Sequence, residues 1–324
     1  MNRNPHRDSR TDLIALVLLI GVLLGGAFMI GRRSHSDQPL DESIVRPRRV
    51  AKELIKFHEV EPIIVDGKRL RGLAVGPDDR IYVLAHFKIL VYEPDGTFVR
   101  DYDLDRAPHC AAFAPDGRLY LGLGSRLGIF DLASGKLTEW PELGERALVG
   151  SIAIGERTLM AGDSGTRTLW VFTLDGEELA RISNGDALEG EGDAPSVHFD
   201  VAPAGDSTFW ATDAGRHAVI HYSATGQVIE RWGEQGEEIE KFGGCCNPAH
   251  LATFPDGRIL VIEKKPDLVK VLFPDGRLDA VVAPPTAFVE KTFLADGAVD
   301  SKGRALVLDP KMSQVRIFLA GAPK

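Results

Sequence analysis

Short apolar runs alternate with turns along most of the chain, and this pattern predicts β-strands rather than helices. A tight turn follows each of six short apolar runs. Its clearest forms are Pro115-Asp116-Gly117 and Pro255-Asp256-Gly257, in which Pro presets φ and Gly takes the left-handed position. Intervals of 38, 40, 48, 52 and 46 residues separate the first positions of these turns, which are Pro77, Pro115, Gly155, Pro203, Pro255 and Ser301.

Each of these turns leads into a second and a third apolar strand. A further turn, such as Pro274-Asp275-Gly276, then precedes a fourth short strand. Four antiparallel strands per unit are typical of a propeller blade. The 271 residues from Leu54 to Lys324 give about 45 residues for each of six blades, which is an ordinary blade length. The pattern therefore predicts an all-β, six-bladed β-propeller over residues 54–324.

The sixth unit ends at Leu319-Ala320-Gly321, before its own outer strand. The segment Leu54 to Val65 has strand-like apolar residues and precedes the first unit, so we expect it to supply the missing strand and close the ring. The longer intervals come from insertions at Asn184 to Ser196 and Gly233 to Gly244, both rich in Gly and Glu. We expect both insertions to be surface loops on one rim.

A different pattern occurs before the repeats. Leu13 to Ile30 contains eighteen residues without a charge, enough for about 27 Å of hydrocarbon as a helix. We predict a short tail at residues 1–12, one transmembrane anchor at 13–31 and a flexible linker at 32–53. A cleaved signal peptide is the alternative, but Arg32 and Arg33 follow the run and no small-x-small cleavage site lies there.

The orientation of this anchor depends on two opposing arguments. Three arginines precede the apolar run and six basic residues follow it by Lys52, so a strict positive-inside count leaves the propeller in the cytoplasm. Long domains, however, translocate despite flanking charge, and a short N-terminal anchor is a common export device. We predict a single-pass protein of a bacterial inner membrane with a periplasmic propeller.

Charge and cysteine content narrow the classes of function. The net charge of -9, without a basic stripe in the repeats, argues against a nucleic-acid partner. Three cysteines are too few for a disulfide scaffold and leave the redox compartment open. The sequence also lacks a phosphate-binding loop, a nucleophile elbow and an HExxH helix.

One stretch is similar to a known repeat. Arg231-Trp232-Gly233, a Gly-rich loop, Phe242, Asn247-Pro248 and then Pro255-Asp256-Gly257 resemble the NHL repeat, and the resemblance extends more weakly from Leu54 onward. It implies an NHL-type (TolB-like) propeller. Such propellers serve as protein-, RNA- or ligand-binding platforms, as sensor domains and, in some families, as lyases, so the fold alone does not choose a function.

The innermost strands of a propeller meet around a channel, so equivalent residues of different blades become neighbours. The positions five residues before each turn are Gly72, Cys110, Gly150, His198, His250 and Asp296. Four of these six are metal-ligand types that suit zinc, copper or iron, and the glycines leave room for a ligand. The alternative is that the histidines only hydrogen-bond strand ends at the channel mouth.

Three further groups of residues accompany this ring. Asp200 lies two residues beyond His198, on the same side of its strand, and is predicted to orient that group or bind ligand. His109 precedes Cys110 and would face the ligand if the register slipped by one residue. Cys245 and Cys246 either add sulfur ligands near His250 or form a buried pair of small apolar residues. The element Cys245-Cys246-Asn247-Pro248-x-His250 is also similar to one found in uncharacterised bacterial NHL-repeat proteins.

Two functions from different classes follow. The first is a membrane-anchored propeller that binds a protein, a peptide or a small ligand across one face, as an accessory or sensor module. The second is a metal-dependent lyase or hydrolase whose site lies in the central channel. A scaffold within a larger membrane complex is a third, without a residue-level signal of its own.

Overall fold

The computed structural model describes residues 48–183, 199–289 and 292–321. The apolar runs form strands, as the pattern predicts. Ile81–Leu84 and Ile259–Glu263 are rich in β-branched residues and are buried along their whole length. The tight turns between strands place Gly117 and Gly257 at a φ of 86°, a backbone conformation that favours glycine.

The described residues contain 24 strands in six sheets of four, which we number as blades in chain order. Blades 1 to 3 contain β2 (Gly72–Val75), β3 (Ile81–Leu84), β4 (Lys88–Tyr92), β5 (Phe98–Asp103); β6 (Cys110–Phe113), β7 (Leu119–Gly122), β8 (Leu127–Asp131), β9 (Lys136–Glu139); β10 (Val149–Ile154), β11 (Thr158–Asp163), β12 (Thr168–Thr173), β13 (Glu178–Ile182). Blades 4 to 6 contain β14 (Val201–Gly205), β15 (Thr208–Asp213), β16 (Ala218–Tyr222), β17 (Val228–Trp232); β18 (His250–Thr253), β19 (Ile259–Glu263), β20 (Leu268–Leu272), β21 (Leu278–Ala283); β22 (Asp296–Val299), β23 (Ala305–Asp309), β24 (Gln314–Ala320) and β1 (Phe57–Ile64). Short 3₁₀ turns lie at Lys52–Leu54 and Pro285–Ala287.

Every blade is an antiparallel meander, and the sixth takes its outer strand from the start of the propeller. Its strand order is β1-β24-β23-β22, with Phe57 opposite Ala320 and Ile64 opposite Gln314. The expected closure of the ring by the segment Leu54 to Val65 is confirmed. This pairing covers the edge that β24 would otherwise expose.

The hydrophobic core lies between blades. One buried cluster packs Phe254 and Leu260 of blade 5 against Val307 and Phe318 of blade 6, and equivalent clusters join the other neighbouring blades. Each blade therefore buries both of its faces, which explains why the middle strands are apolar without alternation.

The predicted turn at Pro203 is wrong by two residues. Pro203 lies inside β14, opposite Phe209, and the chain turns between Gly205 and Thr208. A register shift between Pro203 and Gly205 marks a bulge, a position where a strand tolerates proline. Because the turn lies two residues later than predicted, the residue of blade 4 that faces the channel is not the one found by counting back from Pro203.

The insertion Gly233 to Gly244 is an irregular loop with mostly exposed residues, as expected, but it is also anchored in the core. Its Phe242 is only 1% exposed and packs in the core of blades 4 and 5. The buried Lys270 ammonium donates to the carbonyl oxygens of Ile239 and Lys241, at 2.9 and 2.7 Å. The insertion at residues 184–196 lies outside the described residues.

A buried ion pair network attaches the N-terminal end of the described chain to blade 5. Glu263 accepts from Arg48 at 2.6 Å and pairs with Lys270 at 2.9 Å. Arg48 belongs to the segment 32–53 predicted as a linker, and it is 8% exposed. The tail at 1–12 and the span at 13–31 lie outside the described residues, among which no helix is long and apolar enough to cross a membrane.

Candidate functional site

The channel along the propeller axis holds a cavity of about 200 Å³, lined by the innermost strand of every blade. These strands, β2, β6, β10, β14, β18 and β22, all begin at the same end of the channel. The first residues of equivalent strands therefore form a ring around the axis, as the spacing argument predicts.

Strand register identifies the members of this ring. His250 lies opposite Ile262, and Asp296 lies opposite Leu308. In blade 4 the backbone N–H of Thr212 donates to the Asp200 carbonyl at 2.9 Å, so Asp200 takes the equivalent position. In blade 3 the equivalent residue is Ser151, which lies opposite Gly162, the penultimate residue of β11, as Ile262 is of β19.

The ring thus contains Gly72, Cys110, Ser151, Asp200, His250 and Asp296. The sequence-based count placed His198 and Gly150 in it instead. His198 lies outside the described residues. The error in blade 4 follows from taking Pro203 as the turn, and Gly205-Asp206-Ser207 was the sequence signal that identifies the true turn.

Three members of the ring form a cluster of metal-ligand types. Ligand atoms of Asp200, His250 and Asp296 all lie within 4.8 Å of one another. The Nδ1 atom of His250 is 3.6 Å from Oδ2 of Asp200, and these side chains are only 13% and 10% exposed. Blades 4, 5 and 6 are consecutive, so the cluster occupies one side of the channel.

Hydrogen bonds from neighbouring blades hold both carboxylates. Asp200 accepts from the Ser151 hydroxyl of blade 3 at 2.5 Å and from the Leu251 N–H of blade 5 at 2.6 Å. Asp296 accepts from the Leu73 N–H of blade 1 at 2.8 Å and from the Gly297 N–H at 2.8 Å. These bonds fix the carboxylates and also connect blades, so the ring has a structural role whatever it binds.

Burial shapes the protonation of the cluster. It raises the pKa of Asp296 to about 7, and the negative charge of Asp200 adds to this effect. Burial acts to lower the pKa of His250, but the hydrogen bond and charge of Asp200 outweigh it and raise that pKa above its ordinary value. The cluster therefore retains protons near neutral pH, and a cation must displace these protons to bind.

The predicted cysteine ligands lie outside this cluster. Cys110 is buried in the ring, but its thiol faces the Val149 carbonyl at 3.8 Å, and burial raises the pKa of that thiol well above its usual range. Cys245 and Cys246 precede β18 on a loop, where their sulfur atoms are 3.3 Å apart. Cys245 is exposed, so the two do not form a buried apolar pair.

A positive charge lines the same cavity from blade 1, the neighbour of blade 6. Arg71 lines the cavity beside Gly72, and its Nη1 atom is 3.1 Å from both ring nitrogens of His109. Burial lowers the pKa of His109, and the charge of Arg71 lowers it further, so His109 is neutral at pH 7. Among the described residues, the end of the channel where the inner strands begin therefore presents a guanidinium from blade 1 and carboxylates from blades 4 and 6.

The cluster has the donor chemistry of a divalent metal site. Each oxygen of Asp296 accepts one hydrogen bond and keeps a second lone pair, whereas Oδ1 of Asp200 accepts from both the Ser151 hydroxyl and the Val201 N–H. Imidazole is a common ligand for zinc, copper and iron. Two ligand atoms on a tetrahedral ion lie about 3.4 Å apart, since each bond is about 2.1 Å. The 3.6 Å between His250 and Asp200 is close to this separation, and side-chain movement of roughly an ångström brings the three ligand atoms onto one ion. The residues fit a divalent cation.

Solved structures support the fold. The chain is similar to a catalytically inactive histidine-to-alanine variant of virginiamycin B lyase from Staphylococcus aureus with quinupristin, at 13% identity and a TM-score of 0.56 over 78% of this chain and 81% of that one. It is similar to a streptogramin B lyase at 12% identity and a TM-score of 0.58, over 84% and 100% of the chains. The WD40 β-propeller domain of Doa1 matches at 12% and 0.57, over 82% and 97%. No protein-family model and no curated protein matches the sequence.

Proposed function

We propose that this propeller binds a small ligand, or one side chain of a peptide, at the channel end where the inner strands begin. The observation that carries this proposal is the axial cavity, which brings together the polar cluster and Arg71. Its volume of about 200 Å³ is below the ~300 Å³ at which pockets for drug-sized ligands begin. The cavity therefore suits a ligand headgroup rather than a large molecule.

A divalent transition metal, zinc, copper or iron, completes the proposed site. Asp200, His250 and Asp296 hold it, and the ion contributes Lewis acidity and a charge that attracts an anionic group. Arg71 lines the same cavity from blade 1, so we propose that the carboxylate of a ligand contacts both the cation and the guanidinium. We propose that His109 keeps the Arg71 side chain in place.

The first test of this function is a measurement of metal binding. The full chain, stripped with a chelator, is titrated with zinc against a chromophoric competitor at pH 7.5. We expect one ion per chain, with binding at least about tenfold weaker in Asp296→Asn and His250→Ala, because each loses one ligand. Asp103→Asn is the matched control, because that side chain is 84% exposed and remote from the channel. Equal affinity in all four proteins would rule out this site.

Ligand binding is a second step with its own control. Acetate serves as the probe, and its binding to the zinc-loaded chain is followed by calorimetry. We expect the acetate signal to be lost in Arg71→Ala while the zinc affinity is unchanged. Loss of both together would mean that Arg71 supports the fold rather than the ligand.

The second candidate function is a metal-dependent lyase or hydrolase in the same channel. Two observations favour it: the cluster itself, and a fold similar to that of two streptogramin lyases. Incubation of the zinc-loaded chain with quinupristin, followed by mass spectrometry, tests the lyase version. Turnover that disappears in His250→Ala would establish an enzyme in place of the binding module.

We also propose that residues 13–31 anchor the protein in a bacterial inner membrane, with residues 1–12 on the cytoplasmic side and the propeller in the periplasm. The support for this is the uncharged run of the sequence alone. Protease treatment of spheroplasts tests it: digestion of the propeller in intact spheroplasts is expected, and protection would reverse the orientation.

A further inference from the structure

Two adjacent cysteines lie on the same face as the channel opening. Cys245 and Cys246 precede β18, and His250 follows Cys246 by four residues. Their sulfur atoms are in contact at 3.3 Å, with Cys245 exposed and Cys246 half-buried. Neither thiol belongs to the cation cluster in the channel.

The backbone around the pair is held on both sides. The buried Asn247 amide donates to the carbonyl oxygens of Gly243 and Lys264, at 2.6 and 2.9 Å, and its Oδ1 accepts from the Lys264 N–H at 2.8 Å. The Gly243 N–H in turn donates to the buried Glu263 at 2.8 Å. These hydrogen bonds fix the backbone beside the two cysteines, so the loop holds their thiols close together.

The surroundings of the pair are electropositive. Lys264 and Lys265 follow the end of β19 and act to lower the pKa of Cys246, but its burial and the hydrogen bond and charge of Cys245 outweigh them and raise that pKa above its usual value. The thiolate is the form that attacks a disulfide, so the exposed Cys245 is the better placed of the two to attack first.

We propose that Cys245 and Cys246 form a redox-active dithiol that closes reversibly to a disulfide on meeting a disulfide-bearing oxidant. The exposed Cys245 thiolate attacks one sulfur of the oxidant RSSR, which forms a Cys245–S–SR bond and releases RS⁻. The Cys246 thiolate then displaces the second RS⁻ and forms the Cys245–Cys246 bond. The two cysteines are oxidised, and the oxidant is reduced to two thiols.

Geometry makes this disulfide easy to reduce again. Adjacent Cα atoms are about 3.8 Å apart across a trans peptide, whereas disulfides ordinarily join Cα atoms at least about 4.4 Å apart. Closing the ring therefore strains it, and strained, exposed disulfides are the labile ones. We therefore expect the pair to act as a reversible redox couple and not as a stabilising disulfide cross-link.

Oxidised glutathione tests the proposal on the reduced, folded full chain. After incubation and alkylation, peptide mass spectrometry should show that two of the three thiols are lost. The peptide that carries Cys245 and Cys246 should lose two hydrogens without gaining glutathione. Cys110 should remain a thiol because it is buried, and reduced glutathione should restore the pair.

Variants separate the two chemical steps. Cys246→Ser removes the resolving thiol, so it should accumulate glutathione on Cys245. Cys245→Ser should gain the adduct more slowly, because Cys246 is less exposed. Cys110→Ala is the matched control and should close the disulfide as the wild type does. A wild-type chain that carries only glutathione adducts, forms only intermolecular disulfides, or does not react would overturn the proposal.

Discussion

At the scale of single residues, Asp200 shows the limit of sequence reasoning, which predicted it beside a ring residue rather than in the ring itself. The spacing of the turns predicted the ring. It identified Cys110, His250 and Asp296 correctly, because the strands that carry them end at the regular turns that begin at Pro115, Pro255 and Ser301. It failed by one residue in blade 3, where the turn is shorter, and by two in blade 4, where the turn lies beyond a bulge in β14. A bulge depends on how two strands pair, which the spacing of turns within one sequence does not contain.

We predict that Asp200→Asn destabilises the metal-free protein. Asn offers one acceptor oxygen in place of the two that accept from Ser151 and Leu251. One buried donor loses its partner, at a cost of roughly 1–3 kcal/mol. Chemical denaturation should show this loss, whereas Asp103→Asn should stay near wild type. Equal stability of the two variants would contradict the role of Asp200 in joining blades 3, 4 and 5.

Asp267 gives a prediction about pH. Burial raises its pKa to about 6, and the nearby Asp309 charge adds to this, while its Oδ1 atom has no hydrogen-bond partner. Because the pKa in the folded state lies above the unfolded value, the native state binds more protons between about pH 4 and 6. Asp267 therefore contributes stability below that window, and this contribution is lost as the pH rises through it.

The variant Asp267→Asn isolates this effect. It should be more stable than wild type at pH 7, by on the order of 1 kcal/mol, and the difference should vanish near pH 4. Thermal unfolding at the two pH values measures it. A difference that does not depend on pH would show that ionisation of Asp267 is not the cause.

At the scale of elements, the insertion Gly233 to Gly244 shows what composition leaves out. Its Gly and Glu content is typical of a surface loop, yet Phe242 and Ile239 anchor it in the core. The buried Lys270 ammonium binds its carbonyl oxygens and the Glu263 carboxylate. The sequence placed Lys270 in an apolar strand but carried no signal for partners 29 and 31 residues away.

Lys270→Met should therefore unfold this insertion locally. The change leaves Glu263 with Arg48 as its ion-pair partner and removes the donor from the loop carbonyls, at a cost of about 3 kcal/mol. Limited proteolysis should cut within residues 233–244 faster than in wild type. Lys88→Met, which breaks the exposed pair with Asp101, is the control and should change stability by less than about 1 kcal/mol. Unchanged proteolysis of Lys270→Met would contradict the anchoring role.

At the scale of the whole molecule, the six-bladed ring was predictable because it rests on local signals repeated six times. Strand-forming runs, glycines at left-handed turn positions and a period of about 45 residues all point to the same fold. The closing strand was predictable from the unit that lacks one. The contact of Arg48 with Glu263 was not, because 215 residues of sequence separate the two.

Truncation tests the closure. A chain that begins at residue 48 keeps β1 and Arg48, so it should stay soluble and unfold cooperatively. A chain that begins at residue 66 lacks β1 and exposes the edge of β24, so it should aggregate or unfold at lower temperature. Size-exclusion chromatography and calorimetry compare the two. Equal behaviour would show that β1 is dispensable for the ring.

The proposed function depends most on the cation site formed by Asp200, His250 and Asp296 in the axial channel. Anomalous diffraction from crystals of the zinc-treated protein locates such an ion directly. We expect one strong peak within about 2.3 Å of a ligand atom from each of the three side chains. A channel without a peak, or a peak bound elsewhere, would contradict the central claim.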